Sequence, residues 1–307
     1  MTWVITMKWL VVVLAVIGLL TIGVWGEETL EVVFLPVGHG NCTLLDCGYW
    51  ETLVDAGCKK YWVDFDVCRS ILAPLISPPI ETFVVSHWDR DHYGAFEAIL
   101  EEYGIVSLWR SEDPPDEASG QDILAEWERS ICTRCLAYGS PSQNFASSCV
   151  VWEVLHPPQG CAGDDDDMSL VLKATYGNVV FLFTGDIHGQ TSASDSEACT
   201  GTQNAVMQRY PDGCTAEEET VVLMLPHHAS GRQFCPGFIK WAQADILIAA
   251  CREDEFTIRE DLDAIGIPYY ITGEERPIIV RTDGACVRIY LDVEEVSPEL
   301  TLGNCPE

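Results

Sequence analysis

The segment from Ser86 to His92 contains four potential metal ligands, namely His87, Asp89, Asp91 and His92. Imidazole nitrogens and carboxylate oxygens together suit zinc, manganese or iron. We expect one ion to use His87 and Asp89 and a second ion to use Asp91 and His92. The alternative is a polar loop that caps a helix, but a cap needs one carboxylate rather than this set.

Two other segments place residues of the same kind directly after apolar runs. Phe181–Phe183 leads into Thr-Gly-Asp186, where a carboxylate at a strand end can bridge two metals, although Gly-Asp also marks ordinary turns. Leu223–Leu225 leads into Pro-His227-His228, and adjacent histidines after a strand cannot point the same way. One of the pair is therefore expected to bind metal, here assigned to His227, while His228 contacts substrate or donates a proton.

Such a ligand set predicts hydrolysis by a metal-activated water. Two divalent ions lower the pKa of a bridging water, polarise the electrophile's oxygen and stabilise the developing negative charge. Asp91 is the candidate proton acceptor as well as a ligand, and His228 is the candidate acid. The carboxylates of Asp89, Asp91 and Asp186 shift the preference toward manganese over zinc alone.

The elements that must position these residues alternate along the chain. Helical patterns are predicted over His92–Tyr103, Gln121–Arg134, Phe238–Gln243 and Glu260–Ile265. Strands are predicted over Glu31–Val37, Thr43–Leu45, Thr52–Val54, Thr82–Val85, Ile105–Trp109, Cys149–Leu155, Leu170–Ala174, Val179–Phe183, Val221–Leu225, Ile246–Ala249, Tyr269–Ile271, Ile278–Arg281 and Cys286–Leu291. This α/β pattern indicates two sheets sandwiched by helices. Ser111–Gly120 and Gly189–Glu219 are predicted to be loops.

The composition narrows the classes of partner. The 307 residues include 17 Lys and Arg against 48 Asp and Glu, a formal net charge of −31, and 48% are hydrophobic. That apolar content excludes wholesale disorder. The charge argues against generic nucleic-acid coating and against docking on anionic lipid. A small anionic substrate is still allowed, because a bound metal reverses the local field.

Residues 1–26 are predicted to be an export signal or an N-terminal membrane anchor. The run Trp9–Trp25 is uncharged, and Val24 and Gly26 are small enough to flank a signal-peptidase site. Membrane anchoring would use residues 9–25, a length near the minimum for spanning a bilayer; a buried core helix is the third alternative. Residues 27–307 are expected to form a single domain outside the cytoplasm, whether secreted, periplasmic or anchored facing outward.

The cysteines agree with export. All 14 follow Gly26, and an even number in an exported chain indicates disulfides. Cys58 with Cys68 and Cys199 with Cys214 are the predicted pairs, because each brackets a short polar or turn-rich stretch. Cys132 and Cys135 form the one C-x-x-C, which could be half of a zinc site, but no second such motif completes it.

These motifs, in this order, resemble the metallo-β-lactamase superfamily of metal-dependent hydrolases. The likeness is greatest to the extracytoplasmic hydrolase-like domain of the bacterial competence DNA-uptake channel protein and its stand-alone relatives. The similar segments are Phe34–Asn41, Leu53–Gly57, His87–His92, Asp167–Leu172, Thr184–Asp186 and His227–Ser230. The resemblance implies a four-layer αββα sandwich, two divalent ions (zinc or manganese), and a supporting role for Asp55.

The chain departs from the superfamily pattern at three places. Asp89 stands where an imidazole is more common, and Ala229 replaces a glycine. The third motif normally supplies a histidine before the bridging carboxylate, but here the run Asp164–Asp167 occupies that region and His156 is the only histidine nearby. Asp165 or Asp167 could complete the first ion's ligands, or the run is a solvated turn.

Two other histidines, His39 and His188, lie close to the motifs in the sequence. Each is expected either to line the pocket or to belong to the polar surface.

The leading expectation is an exported metal-dependent hydrolase that acts on a small or polymer-end phosphoester, more specifically a phosphodiester. No strong nucleic-acid binding is expected, and the competence protein's membrane channel is absent from the sequence. Hydrolysis of a lactam, lactone or thioester is the second expectation. The third is a non-catalytic, disulfide-stabilised surface or binding protein that keeps the fold.

Overall fold

The computed structural model describes residues 29–57, 65–111, 121, 124–125, 127–129, 131–138, 149–160, 164–192, 195–292 and 297–305. The strands are β1 Leu30–Phe34, β2 Thr43–Asp46, β3 Glu51–Val54, β4 Ile80–Val85, β5 Ile105–Ser111, β6 Cys132–Leu136, β7 Val151–His156, β8 Val171–Tyr176, β9 Val179–Phe183, β10 Thr191–Ser192, β11 Asp195–Cys199, β12 Thr220–Met224, β13 Ile246–Ala249, β14 Tyr269–Ile271, β15 Ile278–Thr282, β16 Cys286–Tyr290 and β17 Leu300–Gly303. Every strand predicted from the sequence overlaps one of these.

The helices are α1 Phe65–Leu72, α2 Arg90–Tyr93, α3 Phe96–Tyr103, α4 Gly201–Arg209, α5 Pro236–Ala242 and α6 Arg259–Ile265. The structure also contains two 3₁₀ turns, Asp166–Met168 and His227–Ala229. Among the described residues, no helix is both long and apolar enough to cross a membrane. Residues 1–26, with the expected signal or anchor, lie outside the described ranges.

Two mixed sheets carry the fold. Nine strands form one sheet in the order β17-β16-β15-β1-β2-β3-β4-β5-β6, and six form the other in the order β14-β13-β12-β9-β8-β7. In the first sheet β3, β4, β5 and β6 are parallel, and in the second β9, β12, β13 and β14 are parallel. Strands β10 and β11 form a separate antiparallel pair.

The apolar residues fill three layers. Residues from both sheets share the middle layer, where Trp109 of β5 packs edge-on against Trp152 of β7 with ring centroids 5.9 Å apart. Phe83 of β4 meets Phe96 of α3 in the layer outside the larger sheet. Phe238 of α5 belongs to the layer outside the smaller sheet. Helix, sheet, sheet and helix therefore stack as the expected four-layer αββα sandwich.

Two predictions of secondary structure are wrong in part. The predicted helix Gln121–Arg134 is helical at residues 121, 124–125 and 127–129, but Cys132–Leu136 is a strand paired with β5. The pairing available at the sheet edge overrides the local helical pattern there. The predicted loop Gly189–Glu219 contains β10, β11 and α4. Its polar composition hid these elements because it shows no regular spacing of apolar residues.

Three disulfides join described residues: Cys47–Cys149, Cys199–Cys235 and Cys286–Cys305. The predicted pair Cys199–Cys214 is therefore wrong, and the Cys214 thiol is free. Cys235 directly precedes α5, which packs against β11, so tertiary packing rather than sequence proximity selects the partner of Cys199.

Cys68 is also disulfide-bonded, and its expected partner, Cys58, lies outside the described residues. Within the described ranges the thiols of Cys42, Cys132, Cys135 and Cys251 are free as well, so the 14 cysteines are not all paired. Disulfides of this number are typical of proteins in oxidising compartments.

The buried carboxyl of Glu51 on β3 predicts a pH-dependent stability. Burial, with smaller contributions from Asp46 and Glu81, raises its pKa to about 7, while the Ser77 N–H donates to Oε1 at 2.6 Å. Because the folded pKa lies above the unfolded one, this group's contribution to stability is present below pH 4.5 and is lost as pH rises through 7. Glu51→Gln should therefore melt at a higher temperature than the wild type at pH 8, and at nearly the same temperature at pH 5. Equal shifts at both pH values in differential scanning calorimetry would contradict this.

Candidate metal centre

The candidate site lies where the parallel strands of both sheets end. Asp55 follows β3, the segment Ser86–His92 follows β4, Asp186 follows β9, and His227 and His228 follow β12. Side chains at the carboxyl ends of parallel strands converge at one sheet edge, where ligands commonly bind in α/β folds. Contacts between His92 and both Asp186 and His228 bring the edges of the two sheets together.

Asp55 is fully buried and has a positive φ of 61°, which an Asp tolerates better than most residues. Its carboxylate accepts hydrogen bonds from the Asn41 side-chain amide at 2.9 Å and from the Ser86 backbone N–H at 2.7 Å. It also lies 2.8 Å from His92 Nδ1. This carboxylate therefore orients the imidazole of His92 with Nε2 directed toward the centre.

The backbone around Asp91 is held by a glycine that no other residue can replace. Gly57 N–H donates to Asn41 O at 2.7 Å, and Asn41 N–H donates to Asp91 O at 2.9 Å. A Cβ added at Gly57 would lie 1.9 Å from Asp91 O. The close approach fixes the start of α2, which carries both Asp91 and His92.

His87 presents a nitrogen that makes no hydrogen bond within the described ranges. The ring is 1% exposed, Nδ1 lies 3.0 Å from Ser86 Oγ, and Nε2 has no hydrogen-bond partner. Burial, helped by His92, lowers the pKa of His87 to about 3, so the imidazole stays neutral at physiological pH. A buried neutral imidazole with an accessible lone pair is suited to binding a metal.

Asp186 contacts two imidazoles at once. Its Oδ1 lies 3.1 Å from His92 Nε2, and its Oδ2 lies 3.1 Å from His228 Nε2. Burial would raise the pKa of Asp186, but His228 and His92 hold it well below its usual range. Burial lowers the pKa values of the two histidines, and Asp186 outweighs this and raises both. A divalent cation can neutralise the negative charge of a buried carboxylate that lies among imidazoles.

The strained turn at His227–Ala229 sends the two adjacent histidines in different directions. All three residues have φ between 50° and 57°, a region that non-glycine residues rarely adopt. His228 is buried, its Nδ1 lies 2.8 Å from Ala250 O, and its Nε2 lies 3.7 Å from Asp91 Oδ2. His227 is part-exposed, with Nδ1 3.2 Å from Asp186 O.

From the acidic run, Asp166 is the residue that reaches the predicted ligands. Its Oδ1 lies 3.6 Å from His87 Nε2, and its Oδ2 lies 3.0 Å from His188 Nε2. Burial, with Asp186 next, raises the pKa of Asp166 to about 6. Asp167 instead accepts a hydrogen bond from Thr202 Oγ1 at 2.6 Å. The sequence alone does not single out Asp166, because only the 3₁₀ turn decides which of the four adjacent carboxylates faces inward.

Four overlapping groups of side chains bring potential ligand atoms within 4.8 Å of one another among the described residues. They are His87, His92 and Asp186; His87, Asp89 and Asp166; His39, Asp91 and His228; and Asp166, His188 and His227. Each ligand predicted from the sequence belongs to a group, and so do His39, His188 and His228. His156 belongs to none, and its Nε2 lies 2.8 Å from Asp167 O. The donor chemistry fits divalent zinc, manganese or iron.

By sequence, the chain matches no protein-family model and no curated protein. By structure it is similar to a metallo hydrolase from the hyperthermophilic archaeon Ignicoccus hospitalis, with a TM-score of 0.52 and 10% identity over 81% of this chain and 98% of that one. It is also similar to a variant of the CmlA β-hydroxylase, with a TM-score of 0.50 and 10% identity over 82% of this chain. The match covers 54% of that longer protein.

A metallo-β-lactamase from Hirschia baltica matches 61% of this chain and 84% of its own, with a TM-score of 0.34 and 16% identity. The layered sheets and the first two of these similarities identify the metallo-β-lactamase fold.

Proposed function

We propose that this protein, which has the metallo-β-lactamase fold, is an exported metal-dependent hydrolase that acts on a phosphodiester or another phosphoester. The proposal depends on one observation: three buried side chains converge at the ends of strands from two sheets, namely those of His87, His92 and Asp186. Packing alone does not explain three buried polar side chains at one place, because burying a polar group costs free energy unless a partner satisfies it.

The contacts support two ion positions on either side of Asp186. His87, Asp89 and Asp166 would hold one ion. In that case Asp166 would take the role that the third-motif histidine normally has in the superfamily. Asp91, His92 and His228 would hold the other. This assignment exchanges the roles expected for the adjacent histidines, because Ala250 O engages His228 Nδ1 and leaves Nε2 directed at Asp91 and Asp186.

Bound divalent ions would supply a water of lowered pKa and would stabilise negative charge on the electrophile's oxygen. The chain's own groups would orient the substrate and move protons. Asp91 Oδ2, at the edge of α2, is the candidate acceptor of the water's proton. His227, which is part-exposed and near Asp166 Oδ2 at 3.7 Å, is the candidate donor to the leaving group.

A phosphoester substrate is favoured by the carboxylate-rich ligands and by the sequence likeness to the competence-type group, which rests on motifs alone. Oxygen donors suit manganese as well as zinc, and such ions bind phosphoryl oxygens. Export is supported by the disulfides and by the N-terminal apolar run. The −31 charge favours a small substrate or a polymer end, because long polyanions are repelled by an acidic surface.

Metal-loaded wild type should hydrolyse bis-p-nitrophenyl phosphate at low ionic strength. Cleavage of long single-stranded DNA should be slow at low salt and should improve as salt rises, because screening shortens the reach of the acidic surface to about 10 Å or less. The assay compares both substrates at two salt concentrations with manganese and with zinc, and Asp91→Ala serves as the blank.

Two results would count against this substrate. Fast DNA cleavage at low salt that weakens with added salt would indicate a basic binding track. Turnover of a lactam, lactone or thioester without any phosphodiester turnover, in protein that binds two ions, would replace the phosphoester proposal. Absence of bound metal would favour the non-catalytic binding protein.

A further inference from the structure

We infer that His39 is a metal ligand that joins Asp91 and His228 at the ion position beside Asp91. The inference rests on the proposed metal centre and adds to it a residue outside the strand-end motifs. His39 lies in the loop between β1 and β2, in the first segment of the larger sheet. The side chain is 32% exposed, which is enough for it to close one side of the centre while keeping contact with solvent.

The loop holds His39 between two glycines in conformations that other residues rarely adopt. Gly38 has φ of 72° and Gly40 has φ of 154°. Gly38 N–H donates to Gly273 O at 2.8 Å, and a Cβ at Gly40 would lie 2.8 Å from Asp91 O. The backbone on both sides of His39 is therefore fixed, and one end of the loop is packed directly on the residue that carries the expected ligand.

The distances between these side chains are close to those between atoms that share a cation. His39 Nε2 lies 3.4 Å from Asp91 Oδ2, and His228 Nε2 lies 3.7 Å from the same oxygen. These separations exceed the usual length of an N–H···O hydrogen bond. Ligand atoms about 2.0–2.2 Å from a tetrahedral ion are about 3.3–3.6 Å apart. The three side chains keep all their ligand atoms within 4.8 Å of one another.

The Nδ1 atom of His39 makes the kind of hydrogen bond that metal-binding histidines usually make through the ring nitrogen that does not bind the metal. His39 Nδ1 lies 2.8 Å from Glu255 Oε2, a carboxylate that only accepts, so Nδ1 carries the proton. In the neutral ring, Nε2 then presents a lone pair toward the Asp91 carboxylate. The lone pair and the carboxylate repel each other, and a cation bound between them would remove this repulsion. Carboxylate–histidine–metal arrangements of this kind orient the ligand and raise its basicity.

The same pattern holds at the three buried imidazoles of the centre. His92 Nδ1 is engaged by Asp55, His87 Nδ1 by Ser86 Oγ, and His228 Nδ1 by Ala250 O. In every case Nδ1 is occupied and Nε2 faces the centre. His39 obeys this rule although it comes from a different loop and lies outside the motif segments that follow β4, β9 and β12.

The test measures metal binding directly. Wild type, His39→Ala and Glu255→Gln are loaded with zinc, dialysed, and analysed for bound zinc per chain by mass spectrometry. Dissociation constants are then determined by competition with a chromophoric chelator. Glu253→Gln is the matched control, because Glu253 is an exposed neighbour that pairs with Arg259 rather than with His39. Circular dichroism verifies that each variant is folded.

We expect His39→Ala to keep one tightly bound ion and to bind the second more than about 100-fold more weakly. Glu255→Gln should weaken that ion by about 10–100-fold, the range for partners of metal ligands. Glu253→Gln should bind as the wild type does. A change in the visible spectrum of the cobalt-substituted protein in His39→Ala, absent in Glu253→Gln, would support direct coordination.

Two bound ions of unchanged affinity in both His39→Ala and Glu255→Gln would overturn the inference and leave the proposed function standing. Wild type that binds no metal would instead overturn the proposed function, and the inference with it.

Discussion

Asp186→Ala should lose bound metal and hydrolytic activity together while the protein remains folded. Asp186 belongs to the ligand group that contains His87, and its two oxygens contact His92 and His228. The carboxylate therefore faces both proposed ion positions. Its loss should reduce phosphodiester turnover by more than about 100-fold, since even indirect partners of metal ligands contribute 10–100-fold. Metal content per chain and turnover of bis-p-nitrophenyl phosphate are the two measurements.

The control for this variant is Asp167→Ala, which removes a carboxylate nearby that belongs to none of the ligand groups. Asp167 contacts Thr202 and His188, so the substitution should cost some local stability and leave the metal content at its wild-type value. Two ions retained in Asp186→Ala would show that the bridge has been assigned to the wrong residue.

Removal of the Cys47–Cys149 disulfide should give the largest loss of stability. The bond closes a loop with a sequence separation of 102 and joins the region after β2 in the larger sheet to the residues before β7 in the smaller one. Because a disulfide restricts the unfolded chain more as its loop lengthens, Cys47→Ser with Cys149→Ser should lower the free energy of unfolding by about 4–5 kcal/mol. Urea denaturation of the variant and the wild type gives this difference.

The comparison bond is Cys286–Cys305, whose sequence separation is 19. The same chain-entropy argument gives about 3 kcal/mol for this shorter loop, so its double serine variant should be the more stable of the two. A reductant should lower the melting temperature of the wild type. Equal stability of the reduced and oxidised protein would show that the disulfides contribute little.

The fold and most candidate ligands could be predicted because each is encoded locally. An apolar strand followed at once by His, Asp or Gly-Asp identifies both the strand and the residue at its end, as at His87 and Asp186. Thirteen predicted strands overlap those of the structure, whereas the short polar strands β10 and β11 were missed, because neither carries an apolar pattern.

Contacts between residues far apart in the sequence explain the features that the sequence did not predict. Cys199 pairs with Cys235 because α5 packs on β11, a contact that spacing along the chain does not reveal. Asp166 enters the site only because a 3₁₀ turn rotates it inward. The positive φ values at His227 and His228 decide which imidazole is buried. The residue types in that turn do not predict a left-handed conformation, so the sequence could not identify the buried histidine.

The metal ligands come from opposite halves of the sandwich. Asp91 and His92 belong to the larger sheet's edge, whereas Asp186 and His228 belong to the smaller sheet's edge. An ion bound between them would therefore hold the two halves of the sandwich together at the end where the strands terminate. Since ligands that bind only the folded state add to its stability, occupancy by metal would report assembly of the sandwich as well as readiness of the site. Because the chain carries a net charge of −31, its own field would attract divalent cations toward this centre.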